Sequence, residues 1–563
     1  MDLIKDRKLR KNIFHWYPIN KESEILQIGK IPEELIEELC EKSSKLTIML
    51  EDENEKQEIL KKLNIENLEI QLIQDFSQTL DKQYDYVTLI GTLETYENKI
   101  EKKAYKRLEK ILDFAKKSCK ETGKILLIVD NKYGMKSWTT LKSTKNIICN
   151  QTYALSKTLI EKVLKDQNLN NYKYYYILPD YKVPNVIFTD EFLPNLESIN
   201  RNFLYGEEEF ENFNQTEAYI ELLKENPQSF KFFANSYFIE IGKTKLEENE
   251  IRFVSYTNIR KEKYKIQTII YKDRVEKTYV NEKSREHIEN VKKNIEILNN
   301  QKINTLDKYE NGKIISKYVE NTPSYDKILI EFLSKGKQKE FFESIQRYKQ
   351  SLLERLEEVK YEDIKNDNIF TQNNIEEKDG VLQTLHFVKY GLWDLIFHNT
   401  FFINNVLYFY DQEWFDYNVP IEFIIYRAIA YFPIAHSYIK SEELYKKLGL
   451  EKYVEIFQKL DAKLQEKIRD EEIWNLHTST KTGQTLIHLY KNLQKEFEEY
   501  KVMYNKENID DKQAIIEGEK NTIEQLKTQV EKLTAEKEKI YNSTSWKLTK
   551  VVRWLGKDIK RKK

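Results

Sequence analysis

At 563 residues the chain is long for a single compact domain, and at ~100–200 residues per domain its length predicts roughly three or four structural units. Apolar residues make up 40%, aromatics 13% and charged residues 33%, a mixture that excludes wholesale disorder. With 92 basic against 93 acidic side chains the net charge is −1, so no overall field draws nucleic acid or anionic lipid to the molecule. The three cysteines, Cys40, Cys119 and Cys149, lie far apart with no CxxC pair, which excludes a disulfide framework and a zinc cluster and fits a reducing cytoplasm.

The opening MDLIKDRKLRKNIF has no apolar run or small-residue cleavage site of a secretory signal. The longest apolar stretch, Ile421 to Ile434, is interrupted by Glu422, Arg427 and Pro433 and falls short of the ~20 residues that span a bilayer. The expectation is a soluble or peripheral protein.

Residues 20 to 135 alternate the short runs SEILQIG, KLTIML, LEIQLI, YDYVTLIG and GKILLIV with amphipathic helical stretches such as Pro32 to Glu41 and Lys102 to Cys119. That order predicts an α/β doubly wound parallel sheet. From 172 the aromatic runs YKYYYILP and FKFFANSYFIEIG read as antiparallel strands added at its edge, with a boundary near 245. A doubly wound sheet binds nucleotides beyond its first strand, with an acid some 20 residues on. Gly29 ends the first run and Glu51 ends the second, 22 positions later. The turn between them, Gly29-Lys30-Ile31-Pro32-Glu33, carries side chains and a proline where such a binder has two further glycines.

After 246, IRFVSYTNIRKEKYKIQTIIYKDRVEKTYV predicts three antiparallel strands, Ser284 to Leu298 a helix, and GKIISKYVE a further strand pair. A helical half follows, broken by the strand-like VLYFYD. This is an α+β, two-lobed order. Asp394 and Asn399 have the D-x-x-x-x-N spacing of a kinase catalytic loop, and Asp411 follows 12 residues later at a strand end. A loop Asp394 suits proton acceptance from a substrate hydroxyl, while Asn399 and Asp411 suit Mg²⁺ bridging the phosphates of ATP. Lys277, on the third strand and just before the helix, stands where phosphate pairing requires a lysine. Ile288, Val291, Ile295 and Leu298 define the buried face of that helix. Glu286, Glu289 and Glu296 lie off it and His287 sits at its edge, so no helical glutamate is in place to pair with Lys277. The first hairpin, YTNIRKEKYKI, lacks glycine for a phosphate lid.

From Leu486, the residues Leu486, Tyr490, Leu493, Phe497, Tyr500 and Tyr504 keep heptad spacing, which resumes as Ile523, Leu526, Val530, Leu533, Lys537 and Ile540. This predicts a coiled coil over 486–542 and a homo-oligomer. Between Trp546 and Lys563 eight Lys/Arg face one Asp, a local +7 beside an apolar stripe of Leu548, Val551, Val552, Leu555 and Ile559. A basic amphipathic helix over 543–563 suits an anionic membrane surface. Docking on a partner protein is the alternative, and no base-reading module accompanies the tail to suggest nucleic acid.

The first segment, through SEILQIG, YDYVTLIGTLETY, VDNKYGMKSW, YYYILPDYKVPNVIFTDEFLP and FFANSYFIEI, resembles class I S-adenosylmethionine-dependent methyltransferases of surface-polysaccharide gene clusters. The resemblance implies Gly29 and Glu51 as contacts of S-adenosylmethionine, with Asp75 facing adenine. The whole order, with a methyltransferase-like domain over 1–245, a kinase-like domain over 246–480, the coiled coil and the tail, resembles the bifunctional methyltransferase-kinase terminators of bacterial O-antigen. That resemblance implies a glycan acceptor, a glycosyltransferase or polymerase partner, and a place at the inner face of the cell membrane. Two readings follow. One is an ATP-dependent glycan kinase with a degenerate methyltransferase domain; the other is a non-catalytic scaffold that recruits glycosyltransferases through its coiled coil.

Overall fold

A computed structural model describes residues 7–73, 75–77, 80–96, 103–139, 154–199, 215–247, 250–376, 380–433, 435–474 and 510–542. The heptads from Leu486 to Tyr504 and the basic tail from 543 lie outside them. The chain divides into two compact units, Met1–Glu209 with Gln215–Trp474, and Phe210–Asn214 with Asn475–Lys563.

In the first unit the short apolar runs form strands as their composition dictates: β1 (Glu24–Ile28), β2 (Lys45–Leu50), β3 (Leu68–Leu72), β4 (Tyr84–Ile90) and β5 (Cys119–Asp130), parallel in the order β3-β2-β1-β4-β5. Helices α1 (Glu33–Lys42), α2 (Glu53–Lys62) and α3 (Ala104–Ser118) lie between them in sequence. Successive residues of β5 enter two different cores, Ile125, Leu127 and Val129 on one face and Leu126 and Ile128 on the other. Burial on both faces is why these strands read as continuous apolar runs rather than alternating ones.

The sheet continues through β8 (Ser236–Gly242), β6 (Asn171–Leu178) and β7 (Val186–Thr189), all antiparallel to their neighbours. FKFFANSYFIEIG, expected as a strand, is extended only from Ser236. Phe230–Phe233 is a helical turn, because Asn226 caps a 3-10 turn from Pro227 through its side-chain bond to the Gln228 amide (3.0 Å), and only the second half of the run is extended.

The expected boundary near 245 falls in the loop before β9 (Phe253–Tyr256), and the sheet runs on across it. β9 pairs with β7 through Val186/Ser255, Ile187/Val254 and Phe188/Phe253. Next come β10 (Ile266–Ile270), β11 (Arg274–Tyr279), β13 (Lys313–Lys317) and, at the edge, β12 (Asp307–Glu310), completing thirteen strands. Asn12 fastens the junction, donating to the Pro184 carbonyl and to Asn258 Oδ1 (both 3.1 Å) and accepting from the Tyr256 hydroxyl (2.8 Å). Helix α4 (Arg285–Asn300) buries Ile288, Val291 and Ile295 against Ile266 and Ile314, the face expected from its spacing.

The remainder of this unit is largely helical around one core that includes α5 (Ile421–Ala430), buried on nearly every side with Glu422 and Arg427 as its buried charges, and α6 (Val454–Ile468). Into it are set β14 (Glu358–Val359), β15 (Phe387–Leu392) and β18 (Phe415–Pro420) as one small sheet, and the hairpin of β16 (Thr400–Ile403) and β17 (Val406–Phe409). In the second unit the described residues form one helix, α7 (Asp510–Asn542), with Ile523, Leu526 and Val530 half-buried along one stripe. No described helix is long and apolar enough to cross a membrane.

Candidate functional site

One candidate site lies at the carboxyl end of the parallel strands. The strand order turns back between β1 and β4, the switch point at which doubly wound sheets open a crevice. Gly29 leaves β1 there with φ +91°, a backbone state open to glycine, and its amide donates to the Met49 carbonyl (2.9 Å). The space in front of Gly29 is filled from within. Tyr96 is 1% exposed, and its Cε2 would stand 3.4 Å from a Cβ at residue 29. Its ring meets Phe76 edge-on at 5.1 Å, and Phe76 in turn meets Phe114. Burial, with Glu51 and Glu55 nearby, raises the Tyr96 hydroxyl above its ordinary range, and that hydroxyl has no hydrogen-bond partner among the described residues.

Lys30 straps the same turn to α2 through Glu55 (3.4 Å) and Glu58 (3.6 Å). Asp75 is exposed, its carboxylate receiving the Ser77 amide (2.6 Å) of its own turn. Further along the crevice, Lys136 is held between Asp130 (2.6 Å) at the end of β5 and Asp180. Gly29, Glu51 and Asp75 therefore stand at the ends of adjacent strands, as expected. The Tyr96 ring, however, lies against Gly29, so this turn does not offer S-adenosylmethionine an open approach.

The second place lies between the β9–β13 lobe and the helical half. β15 ends at Leu392 and delivers Asp394 on the following turn. Arg427 of α5, 3% exposed, donates to the Trp393 carbonyl (2.9 Å) and to Asp394 Oδ1 (3.1 Å) and also pairs with Asp461 of α6. Burial pushes the Asp394 carboxyl up to about 6, against the pull of Arg427.

The hairpin brings Asn399 beside Asp411. Its two-residue loop, Asn404-Asn405, takes the left-handed conformation at both positions (φ +50° and +63°) that a tight hairpin turn requires. The resulting register pairs Thr400 with Phe409, the Tyr410 amide donates to the Asn399 carbonyl (3.1 Å), and Asp411 comes next with φ +62°. Asn399 Nδ2 (3.3 Å) and Gln412 Nε2 (2.8 Å) both donate to the Asp394 carbonyl, tying the three positions together. The Asp411 amide is fixed by Asp307 Oδ2 (2.8 Å) at the start of β12.

Lys277, from the middle of β11, pairs with Asp411 and lies 3.5 Å from Glu413 Oε1. Burial holds its ammonium below the usual range, with Glu413 pulling the other way. Burial opposes ionisation of Glu413 as well, but Arg260, Lys277 and His287 outweigh it and keep the carboxylate well below its ordinary value. Asp307, by contrast, is raised by its burial.

Lys277, Asp394, Asn399 and Asp411 thus meet in one site. Glu413, Arg427, His287 and Asp307 were not assigned to it from sequence. The Asp411-Gln412-Glu413 spacing was visible there, whereas Arg427 stood out only as a charge interrupting an apolar run. Among the described residues no group of three or more His, Cys, Asp or Glu side chains is placed to hold a metal ion. Asn399 and Asp411 are oxygen donors of the kind Mg²⁺ takes singly or in pairs, with phosphate and water filling its other positions.

No protein-family model matches the sequence, and no curated protein matches it. Among solved structures, a chain of the Haloferax volcanii complex containing the Trm112 methyltransferase activator is similar at 11% identity and TM-score 0.28, over 43% of this chain and 91% of that one. An S-adenosylmethionine-dependent methyltransferase from Thermotoga maritima is similar at 10% identity and TM-score 0.27, over 43% and 92%. The N-methyltransferase NodS from Bradyrhizobium japonicum is similar at 12% identity and TM-score 0.22, over 29% and 83%. Likeness of this degree says nothing of activity. The doubly wound half has the strand order β3-β2-β1-β4-β5, continued by the antiparallel β8, β6 and β7.

Proposed function

We propose that the chain is a Mg·ATP-dependent phosphotransferase acting on a hydroxyl of a surface glycan, with a methyltransferase-like domain retained as structure. The observation that carries this reading is the meeting of Lys277 and Asp411, 134 positions apart, within one hydrogen-bonded network that includes Asp394 and Asn399. Bound Mg·ATP supplies the phosphoryl group and neutralises charge that builds on its oxygens. Asn399 and Asp411 would hold the metal and Lys277 would pair with the phosphates. Asp394 takes the proton of the acceptor hydroxyl, and a carboxyl titrating at about 6 is ionised at neutral pH yet basic enough to do so. Arg427 fixes the orientation of Asp394.

The glycan acceptor, the glycosyltransferase or polymerase partner, and termination or length control of the polymer rest on the resemblance to O-antigen terminators. Homo-oligomerisation through the coiled coil rests on its heptads. Attachment to the inner face of the cell membrane rests on the basic tail. The scaffold reading is favoured by one observation, the filling of the first crevice by Tyr96.

A thermal-shift titration of the full chain with Mg·ATP separates the two. A ligand that binds only the folded state raises the melting temperature with concentration over Kd. The expected result is a shift that Asp411→Asn abolishes. No shift in the native chain leaves the scaffold.

A further inference from the structure

The lysine that faces the phosphates in this reading has no partner on the helix beside it. Glu286 and Glu296 of α4 are exposed, and Glu289 meets the Tyr309 hydroxyl. α4 sends two side chains to the site: Asn294, whose Nδ2 donates to the Gln412 carbonyl (3.0 Å), and His287, 3% exposed, stacked on Trp414 (4.7 Å, 29°) and edge-on to Tyr264 (5.3 Å, 73°). Its Nε2 lies 3.3 Å from Glu413 Oε2, the same oxygen that Arg260 holds from the loop after β9. The other oxygen of Glu413 faces Lys277.

We propose that Glu413 is the positioning residue for Lys277, clamped from behind by His287 and Arg260, so that α4 reaches the lysine through an imidazole and a carboxylate from the other side of the cleft. Its consequence for turnover rests on the phosphotransfer reading above. In the phosphotransfer reading Asp411 would share its carboxylate with a divalent ion, so it is the less constant of the two partners. Glu413 is 6% exposed and held by three groups from three separate elements, so it remains in place when Asp411 turns away. Lys277 then keeps its position against β11 while its second partner changes. A helix movement that displaced His287 would loosen Glu413 and the lysine with it.

The test has two arms on the full chain. A double-mutant cycle in urea, read by tryptophan fluorescence, compares Lys277→Met, Glu413→Gln and the pair. Truncating one partner of a buried charge pair is costly, so coupling of at least about tenfold in the unfolding constant is expected. The cycle of Lys277→Met with Glu289→Gln should be additive. Mg·ATP affinity by calorimetry should weaken about tenfold or more in Glu413→Gln and be partly restored in Glu413→Asp, which keeps the charge. If Glu413→Gln does not fold, Glu413→Asp replaces it in both arms, with the same direction expected. Additivity of Lys277 and Glu413 overturns the proposal whatever the nucleotide result, and so does coupling of Lys277 to Glu289 instead. Strong coupling in a native chain that binds no Mg·ATP upholds the anchor and removes the phosphotransfer reading.

Discussion

Asp394 can be interrogated without any substrate. Its carboxyl is 13% exposed and is pushed up to about 6 by burial, with Arg427 opposing. In the unfolded chain it titrates at ~3.9. A carboxyl that holds its proton more tightly when folded stabilises the native state fully below ~pH 4 and loses that contribution as the pH rises through about 6. From those two values the linkage is about 3 kcal/mol over the whole window and about 1.4 kcal/mol between ~pH 5 and ~pH 7.5. Asp394→Asn keeps the shape and removes the titration. Every other titrating group is common to both proteins, so the stability of the variant relative to the native chain should rise by about 1.4 kcal/mol over that interval. Urea unfolding at a series of pH values measures it. A difference that stays flat, or falls as pH rises, would refute burial as the force that governs this carboxyl. On the phosphotransfer reading the same variant should lose turnover while gaining stability at neutral pH, the trade expected where a charge is buried for use.

Arg427→Met leaves Asp394 and Asp461 without their shared cation, and a loss of about 3–5 kcal/mol is expected in urea unfolding. A loss under ~1 kcal/mol would show that solvent already screens the pair. S-adenosylmethionine should give no thermal stabilisation and no calorimetric heat, because Tyr96 stands against Gly29; binding at micromolar concentration would mean that the ring swings out. In α7, Leu526→Lys places a charge on the half-buried stripe and should lower the molar mass found by light scattering, while an unchanged mass would remove this helix from the assembly.

Much of the fold was legible because its signals are local. The runs from SEILQIG to GKILLIV became β1 to β5, and the face of α4 is the one its 3-4 spacing marked out. Asp394, Asn399, Asp411 and Lys277 were legible as types at spacings, and the hairpin and β11 bring them together. Contacts that depend on separation along the chain were not legible. Nothing in the sequence near Gly29 says that a tyrosine 67 positions later fills the space before it. Spacing along the helix beside Lys277 is informative but offers it no glutamate, whereas the carboxylate comes from a turn 136 residues away. FKFF reads as strand by composition, and Asn226 at its head made it a helical turn.

The pairing of β9 with β7 bears on where the chain can be divided. Stripped of residues before 246, β9 would present a row of open amides and carbonyls beside Phe253 and Val254, an invitation to the nearest unpaired strand of another molecule. The residues before 246 are therefore not dispensable to the lobe that follows them. Whatever the first crevice holds, β7 is needed as the neighbour of that lobe's first strand.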